Sequence, residues 1–177
     1  MKKLFIPKGF HRPLRLLPAF LRCRPVIYGK HGKYGIVDMS KRVMFTESCK
    51  YSLDKGDQTD WNKLFGFCFG FFDIHKNSVR AVWRYNPKSD LIEIALYYYE
   101  NGKRDYKICS AIPVNSLCDI TLIYEDFPEK IYLSVTGVES KSVTVSVKLP
   151  IEKHVFGCGL YFGGNRRAPQ NITVYEY

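Results

Sequence analysis

No Asp or Glu occurs among the first 37 residues of this 177-residue chain, although that stretch holds nine Lys and Arg. The remaining 140 residues hold 18 Lys and Arg against 17 Asp and Glu. Nine of the ten net positive charges therefore sit in the opening fifth, ahead of a nearly neutral body. Other scarcities narrow the field. The four histidines, His11, His31, His75 and His154, stand far apart, and none has a second His or a carboxylate at ligand spacing. The six cysteines, Cys23, Cys49, Cys68, Cys109, Cys118 and Cys158, form no CxxC pair. Together these gaps argue against a zinc site, and the cysteines read as reduced thiols packed as small hydrophobes. HExxH, GxSxG and phosphate-cradling glycine motifs are absent too. No metal, no cofactor and no enzymatic activity are expected, though residues distant in sequence can still converge in space.

Long apolar runs are also missing. Lys2 and Lys3 mimic the start of a signal peptide, but Pro7 and Lys8 stop the apolar stretch after Ile6. Nothing approaches the ~20 apolar residues of a membrane span. Pro7, Pro13, Pro18 and Pro25 work against a continuous amphipathic helix of the transit-peptide kind. The expectation is a protein that stays where it is made, cytoplasmic or carried in a virion, with no membrane partner. There is no internal repeat and no low-complexity linker.

What is present is strand pattern from end to end. Hydrophobic residues make up 46% of the chain and aromatic ones 15%, enough for a single packed β domain. The pattern opens at residues 41–53. A solvated loop follows over Asp54 to Asp60. In LFGFCFGFFDI, Phe65, Phe67, Phe69 and Phe71 share one parity while Gly66, Cys68 and Gly70 share the other. Period-2 spacing places the rings on one face and leaves the opposite face thin, open to close packing. Ile120, Leu122 and Tyr124 alternate with polar neighbours, as do Ile131, Leu133 and Val135, and Val143, Val145, Val147 and Leu149. The last strand spans roughly Asn171 to Glu176. Ten to twelve short strands without a convincing helix predict an all-β fold, an antiparallel β-sandwich or jelly roll. The division reads as a basic N-terminal arm, 1–37, and a sandwich domain, 38–177.

One hairpin can be registered from the sequence. With Pro87 to Asp90 as the loop, Tyr85 faces Ile92, Trp83 faces Ile94, Ala81 faces Leu96 and Val79 faces Tyr98. The other face then sets Arg84 against Glu93 as an ion pair and Arg80 against Tyr97 as a cation–π contact. At the next turn, Glu100-Asn101-Gly102, a two-residue loop would bring Asp105 and Lys107 to the core parity. A three-residue bulged loop would set Leu96 against Tyr106 and Ile94 against Ile108, and the bulged form is expected on that ground.

The segments NSVRAVWRYN (77–86), NPKSDLIEIALYYYENGKR (86–104) and YFGGNRRAPQNITV (161–174) resemble a family of small, uncharacterised proteins of gut bacteria and their tailed phages. That family's strands read FGWRYNP and IEIxAYxY up to an NG turn, with a terminal YFGGNxxAPHDI. The resemblance covers most of residues 41–177. It implies a concanavalin-like jelly roll and a phage or mobile-element origin, and it implies no activity. The chain departs from the pattern at Gln170 and Asn171, where His and Asp stand in the family. Jelly rolls also include glycoside hydrolases and polysaccharide lyases. The laminarinase-type ExDxxE pattern is lacking, with Asp90 and Glu93 the nearest approach, and Tyr161-Phe162-Gly163 lacks the Lys of the alginate-lyase-like YFKxGxY strand.

Three surfaces remain as candidates. The polar hairpin face, Arg80, Arg84, Glu93, Tyr97 and Tyr99, can stack and hydrogen-bond a sugar or a protein partner, or else lie covered by another part of the chain. Asn165, Arg166 and Arg167 form either a ligand loop or a turn that closes the sandwich. The arm, with Lys2, Lys3, Lys8, Arg12, Arg15, Arg22 and Arg24, reads as a strap that docks on an acidic partner or neighbouring subunit, or that folds along its own domain. It could also bind nucleic acid in a salt-dependent way, although its leucines make it apolar for that role. The expectation from sequence is a structural or adaptor component anchored through this arm. The alternative is a carbohydrate-binding module using the Tyr/Arg face.

Overall fold

The computed structural model describes residues 1–13, 29–31, 34–54, 56–70, 74–150 and 155–177, with 29–31 and 34 described by backbone alone. Two antiparallel sheets face each other. In chain order the strands are β1 (Lys2–Ile6), β2 (Gly29–His31), β3 (Tyr34–Phe45), β4 (Asn62–Phe69), β5 (Ser78–Asn86), β6 (Leu91–Glu100), β7 (Lys103–Ile112), β8 (Leu117–Glu125), β9 (Lys130–Thr136), β10 (Lys141–Ser146), β11 (Val155–Cys158) and β12 (Ile172–Glu176). One sheet runs β1-β12-β3-β8-β9-β10, with β2 also paired to β3; the other runs β11-β4-β5-β6-β7. Only short 3-10 turns, Glu47–Cys49 and Asp57–Thr59, interrupt the β structure among the described residues. This is the expected antiparallel β-sandwich.

The core is where alternation puts it. Phe65, Phe67 and Phe69 of β4, Val79, Ala81 and Trp83 of β5, and Ile92, Ile94 and Leu96 of β6 point inward and are buried. They meet Ile120, Leu122 and Tyr124 of β8 and Ile131, Leu133 and Val135 of β9 from the facing sheet. Trp83 lies 5.2 Å from the Phe45 ring and 6.2 Å from Tyr51. Each of the larger aliphatic and aromatic side chains among them contributes roughly 1.5–3 kcal/mol through burial. Phe71 falls outside the described residues.

The first hairpin has the predicted register, from Asn86 opposite Leu91 to Val79 opposite Tyr98. The Asn86 side chain accepts the Lys88 N–H at 3.0 Å, closing the turn as an Asx motif. The second hairpin differs from expectation. Glu100 pairs with Lys103 across a two-residue loop, with Asn101 at φ 50° and Gly102 at φ 83°. Turn chemistry wins here because β7 is an edge strand. Asp105 and Lys107 take the core parity yet remain exposed, so no charge is buried. A bulge then resets the register: Ala95 pairs with Ile108 but Ile94 with Ser110. Cys109 turns inward, and Ile112 reaches the core. Tyr106 and Ile108, expected inside, lie on the outer face and are about half exposed.

Of the two readings of the basic segment, residues 1–13 follow the one in which it folds along its own domain. Lys2 pairs with Glu176 and Lys3 with Tyr175, so β1 is a strand of the large sheet. The Gly9 N–H bonds the Ala168 carbonyl at 2.8 Å, and the Phe162 N–H bonds the His11 carbonyl at 2.7 Å. A boundary at 37 falls inside β3, which starts at Tyr34 and not near residue 41. Leu4 and Ile6 explain the difference: they alternate with Lys3 and Phe5 and are buried, an inward face that the charge pattern hid.

Candidate functional site

The outer face of β4–β7 is not a flat wet surface. Gly66 and Cys68 leave β4 thin, as the glycine pattern predicted, and a Cβ on Gly66 would lie 2.7 Å from the Arg80 Cα. Beside this strip Trp61, Val82, Ala95 and Tyr97 form a small second apolar cluster, with Tyr99 packed against it. A groove of about 1040 Å³ opens over the face. Tyr97, Tyr99, Tyr106, Tyr161 and Asn165 are among its lining residues.

Local pairing explains how the wall is placed. Lys63 and Tyr161 exchange backbone hydrogen bonds of 2.8 and 2.9 Å, which seats the Tyr161 ring beside β4. His11 stacks on that ring at 5.0 Å with an interplanar angle of 9°, and its Nδ1 donates to the Phe162 carbonyl at 3.0 Å. The Arg12 guanidinium lies 5.3 Å from the same ring. The N-terminal segment thus contributes part of the groove. Gly163, at φ 64°, turns the chain there and donates its N–H to the buried Asn62 side chain.

Arg80 is 4% exposed. Its Nη2 donates to the Ile74 carbonyl and, at 2.9 Å, to the Ser78 hydroxyl. Its guanidinium sits 5.8 Å from both the Tyr97 and Tyr99 rings. Arg84 is engaged otherwise. Its Nε donates to Glu93 at 2.7 Å, and it stacks over Trp61 at 4.2 Å. The second Glu93 oxygen accepts from Asn86 at 2.7 Å, so both carboxylate oxygens are used structurally.

Lys63 donates to the Trp61 carbonyl at 2.6 Å and lies 5.4 Å from the Tyr97 ring. Burial pushes its amine down to about 8, Arg80 and Arg104 push the same way, and Asp60 opposes them. Burial, then Arg80 and Lys63, likewise lower His75, whose ring meets Tyr99 at 5.5 Å. Burial first, and then Tyr99, push the Tyr97 hydroxyl up to about 12.

The expected hairpin face is therefore assembled, with Arg80, Tyr97 and Tyr99 turned to the groove and Glu93 holding Arg84. The loop residues divide. Asn165 lines the groove, whereas Arg166 is tied to Asp57 at 2.7 Å and closes a turn; Arg167 is exposed on the surface. Of the basic arm, Lys2, Lys3 and Lys8 lie on the surface and Arg12 reaches the groove, while Arg15, Arg22 and Arg24 fall outside the described residues. Gln170 and Asn171, where the chain departs from the family pattern, act as fasteners. Gln170 donates to the Ser48 and Lys50 carbonyls at 2.9 and 2.7 Å, and Asn171 accepts the Lys8 N–H at 2.9 Å. Sequence reasoning missed Trp61, Lys63, His75, Arg104, Tyr106 and Tyr161. The thin Gly66/Cys68 face was the available signal for a depression. Among the described residues no cluster of His, Cys, Asp and Glu is suited to a metal ion, and no helix is long and apolar enough to cross a membrane.

No family model matches the chain, and no curated protein does. Solved structures do. Alginate lyase A1-II′ Y284F in complex with its product GGG aligns with a TM-score of 0.55 and 10% identity, over 99% of this chain and 76% of the lyase. A Lotus tetragonolobus seed lectin aligns with a TM-score of 0.52 and 12% identity, over 98% of this chain and 84% of the lectin. A second structure of alginate lyase A1-II′, a member of polysaccharide lyase family 7, aligns at a TM-score of 0.49, and the chain spans 62% of its length. At such identities the two likenesses with TM-scores above 0.5 establish a shared β-sandwich fold.

Proposed function

We propose that this chain is a carbohydrate-binding β-sandwich domain whose ligand lies in the groove over β4–β7. The observation that carries the reading is the groove itself: Tyr97, Tyr99, Tyr106 and Tyr161 beside donors on Arg80, Lys63 and Asn165. Aromatic faces match the C–H faces of sugar rings, and the donors match their hydroxyls. The shared fold with a seed lectin and with a lyase holding its product adds support. The alternative of an assembly component anchored through the arm has less behind it, since residues 1–13 fasten to the domain itself.

The reading is one of binding, and it is supported by Glu93 being engaged by Arg84 and Asn86. It is tested on a panel of immobilised polysaccharides. Tyr97→Ala with Tyr99→Ala should weaken retention roughly 30-fold or more, the effect of losing an interface aromatic worth about 2 kcal/mol. Circular dichroism should show the β fold kept. Undiminished retention by the folded double variant would end the assignment to this groove. Shortening of a retained polysaccharide, read by size-exclusion chromatography, would replace binding with catalysis.

A further inference from the structure

Resting on that glycan-binding reading, we propose that the ligand is an acidic polysaccharide, whose carboxylate or sulfate groups balance a cation cluster that the protein leaves uncompensated. The groove lining includes Arg12, Lys63, Arg80, Arg84 and Arg104, with Asp60 as its carboxylate among the described residues. Arg84 is balanced by Glu93. Lys63, Arg80 and Arg104 make no ion pair within 4 Å among the described residues; Asp60 favours the charges of Lys63 and Arg104 only from farther off. Lys63 and Arg80 instead donate to neutral acceptors: the Trp61 and Gly163 carbonyls, the Ile74 carbonyl and the Ser78 hydroxyl.

Two buried donors at the groove also lack acceptors, Nε of Arg80 and Nε1 of Trp61. A buried guanidinium without an anion is costly, and an orphaned donor adds to the cost. Burial is the main reason that Lys63 and His75 hold their protons less tightly than usual, and the neighbouring cations add to it. A ligand that brings acceptor oxygens and negative charge removes all of these penalties at once.

The depth of the cations separates acidic glycans from nucleic acid. A phosphate backbone is held by exposed Lys and Arg along a stripe. Here Arg80 is buried and Lys63 is covered by two rings, positions that reward compact anionic groups entering between Tyr97 and Tyr161.

The test uses the full chain on immobilised polygalacturonate, heparin, dextran and single-stranded DNA at several salt concentrations. Retention on polygalacturonate or heparin but not dextran is expected; retention on polygalacturonate shows that carboxylates suffice, whereas retention on heparin alone shows that sulfate is required. Lys63→Met and Arg104→Gln should each weaken that retention by roughly tenfold or more, the loss of one charge-assisted hydrogen bond. Arg104 lies near the surface, so its variant should fold even if the Lys63 variant does not. Equal retention on dextran, or unchanged binding by both folded variants, overturns the acidic-ligand inference and leaves glycan binding standing. Retention on DNA alone, or on nothing, takes the glycan reading down as well.

Discussion

The two outward faces of the sandwich follow the same alternation and put it to opposite use. On the large sheet Ser40 bonds Thr121 at 2.9 Å and Arg42 meets Asp119 at 2.8 Å, side by side in water. Ser142, Thr144 and Ser146 continue that surface, all exposed. Arg42 and Asp119 pair there across neighbouring strands. On the small sheet the outward positions include Gly66, Cys68, Val82, Ala95 and Tyr97, with Arg80 sunk among them. That face buries apolar surface and leaves cations without anions. The difference teaches that period-2 patterning tells which side of a strand faces out, and says nothing of whether outside means solvent. A polar face built of small residues and rings is a depression, whereas one built of Ser, Thr and paired charges is a wall.

The sharpest way to break the contrast is to fill the depression from below. Gly66→Ala drives a Cβ into the Val79 carbonyl oxygen and places it 2.7 Å from the Arg80 Cα, at a backbone φ of 154°. These are backbone atoms of a central strand and cannot step aside. The expected loss is about 2–4 kcal/mol of stability, from overpacking together with a strained backbone. Chemical denaturation with and without the substitution measures it. Gly102→Ala is the control: nothing lies within 4 Å, and only its φ of 83° resists. About 1–2 kcal/mol is expected there. Equal losses at the two sites would show that the small-sheet face is not closely packed at Gly66.

Much of this architecture was legible in the residues. The Phe65–Phe69 alternation, the Asn86–Leu91 hairpin with its Arg84–Glu93 pair, and the Val143/Val145 ribbon all follow from parity, because a buried face admits one register. The failures share a cause. At β7 the core was expected to choose the turn, but an edge strand buries little, so Asn101-Gly102 chose it and a bulge at Ile94/Ala95 repaired the pattern. At β1 the charge of Lys2 and Lys3 masked the inward Leu4 and Ile6. The groove was half visible. Arg80, Tyr97 and Tyr99 lie on one hairpin, whereas Lys63 and Tyr161 meet through pairing across 98 residues of sequence. Nothing local in a single chain announces such a meeting.

A smaller effect sharpens the comparison through pH. Lys63 faces Arg80 from β5, Arg104 from β7, Tyr97 from β6, and Asp60 and Tyr161 from the flanking loops. Its amine titrates near 8 in the folded protein, against an ordinary 10.5 when unfolded. Between those values the unfolded chain holds the extra proton, so stability contributed at this site rises with pH across that window and is lowest below 8. The buried thiols Cys49 and Cys118, pushed up to about 12 from 9.0, act in the opposite sense above pH 9. The readout is therefore the difference in denaturation midpoint between the native chain and Lys63→Met, followed from pH 7 to 10.5. That difference should close in the variant's disfavour as pH rises. Retention on an acidic glycan should weaken over the same range in the native chain and stay flatter in Lys63→Met. A pH-independent difference would mean that Lys63 is hydrated and the groove is no drier than the opposite wall.

The least effect belongs to that wall. The Arg42 guanidinium, held by two hydrogen bonds to Asp119 of 2.8 and 2.9 Å, has the best ion-pair geometry on the large sheet. The pair draws the Asp119 carboxyl below its ordinary value, and yet both side chains are about half exposed. In water the Coulomb gain of such a pair is offset by the entropy of ordering two side chains and is screened by salt. Arg42→Ala should leave the thermal midpoint within the scatter of replicate melts, and what small change exists should vanish at high salt. Glycan retention should be untouched, because Arg42 points away from the groove, on the other sheet. A loss of binding in Arg42→Ala would place the ligand on the large sheet and invert the contrast between the two faces.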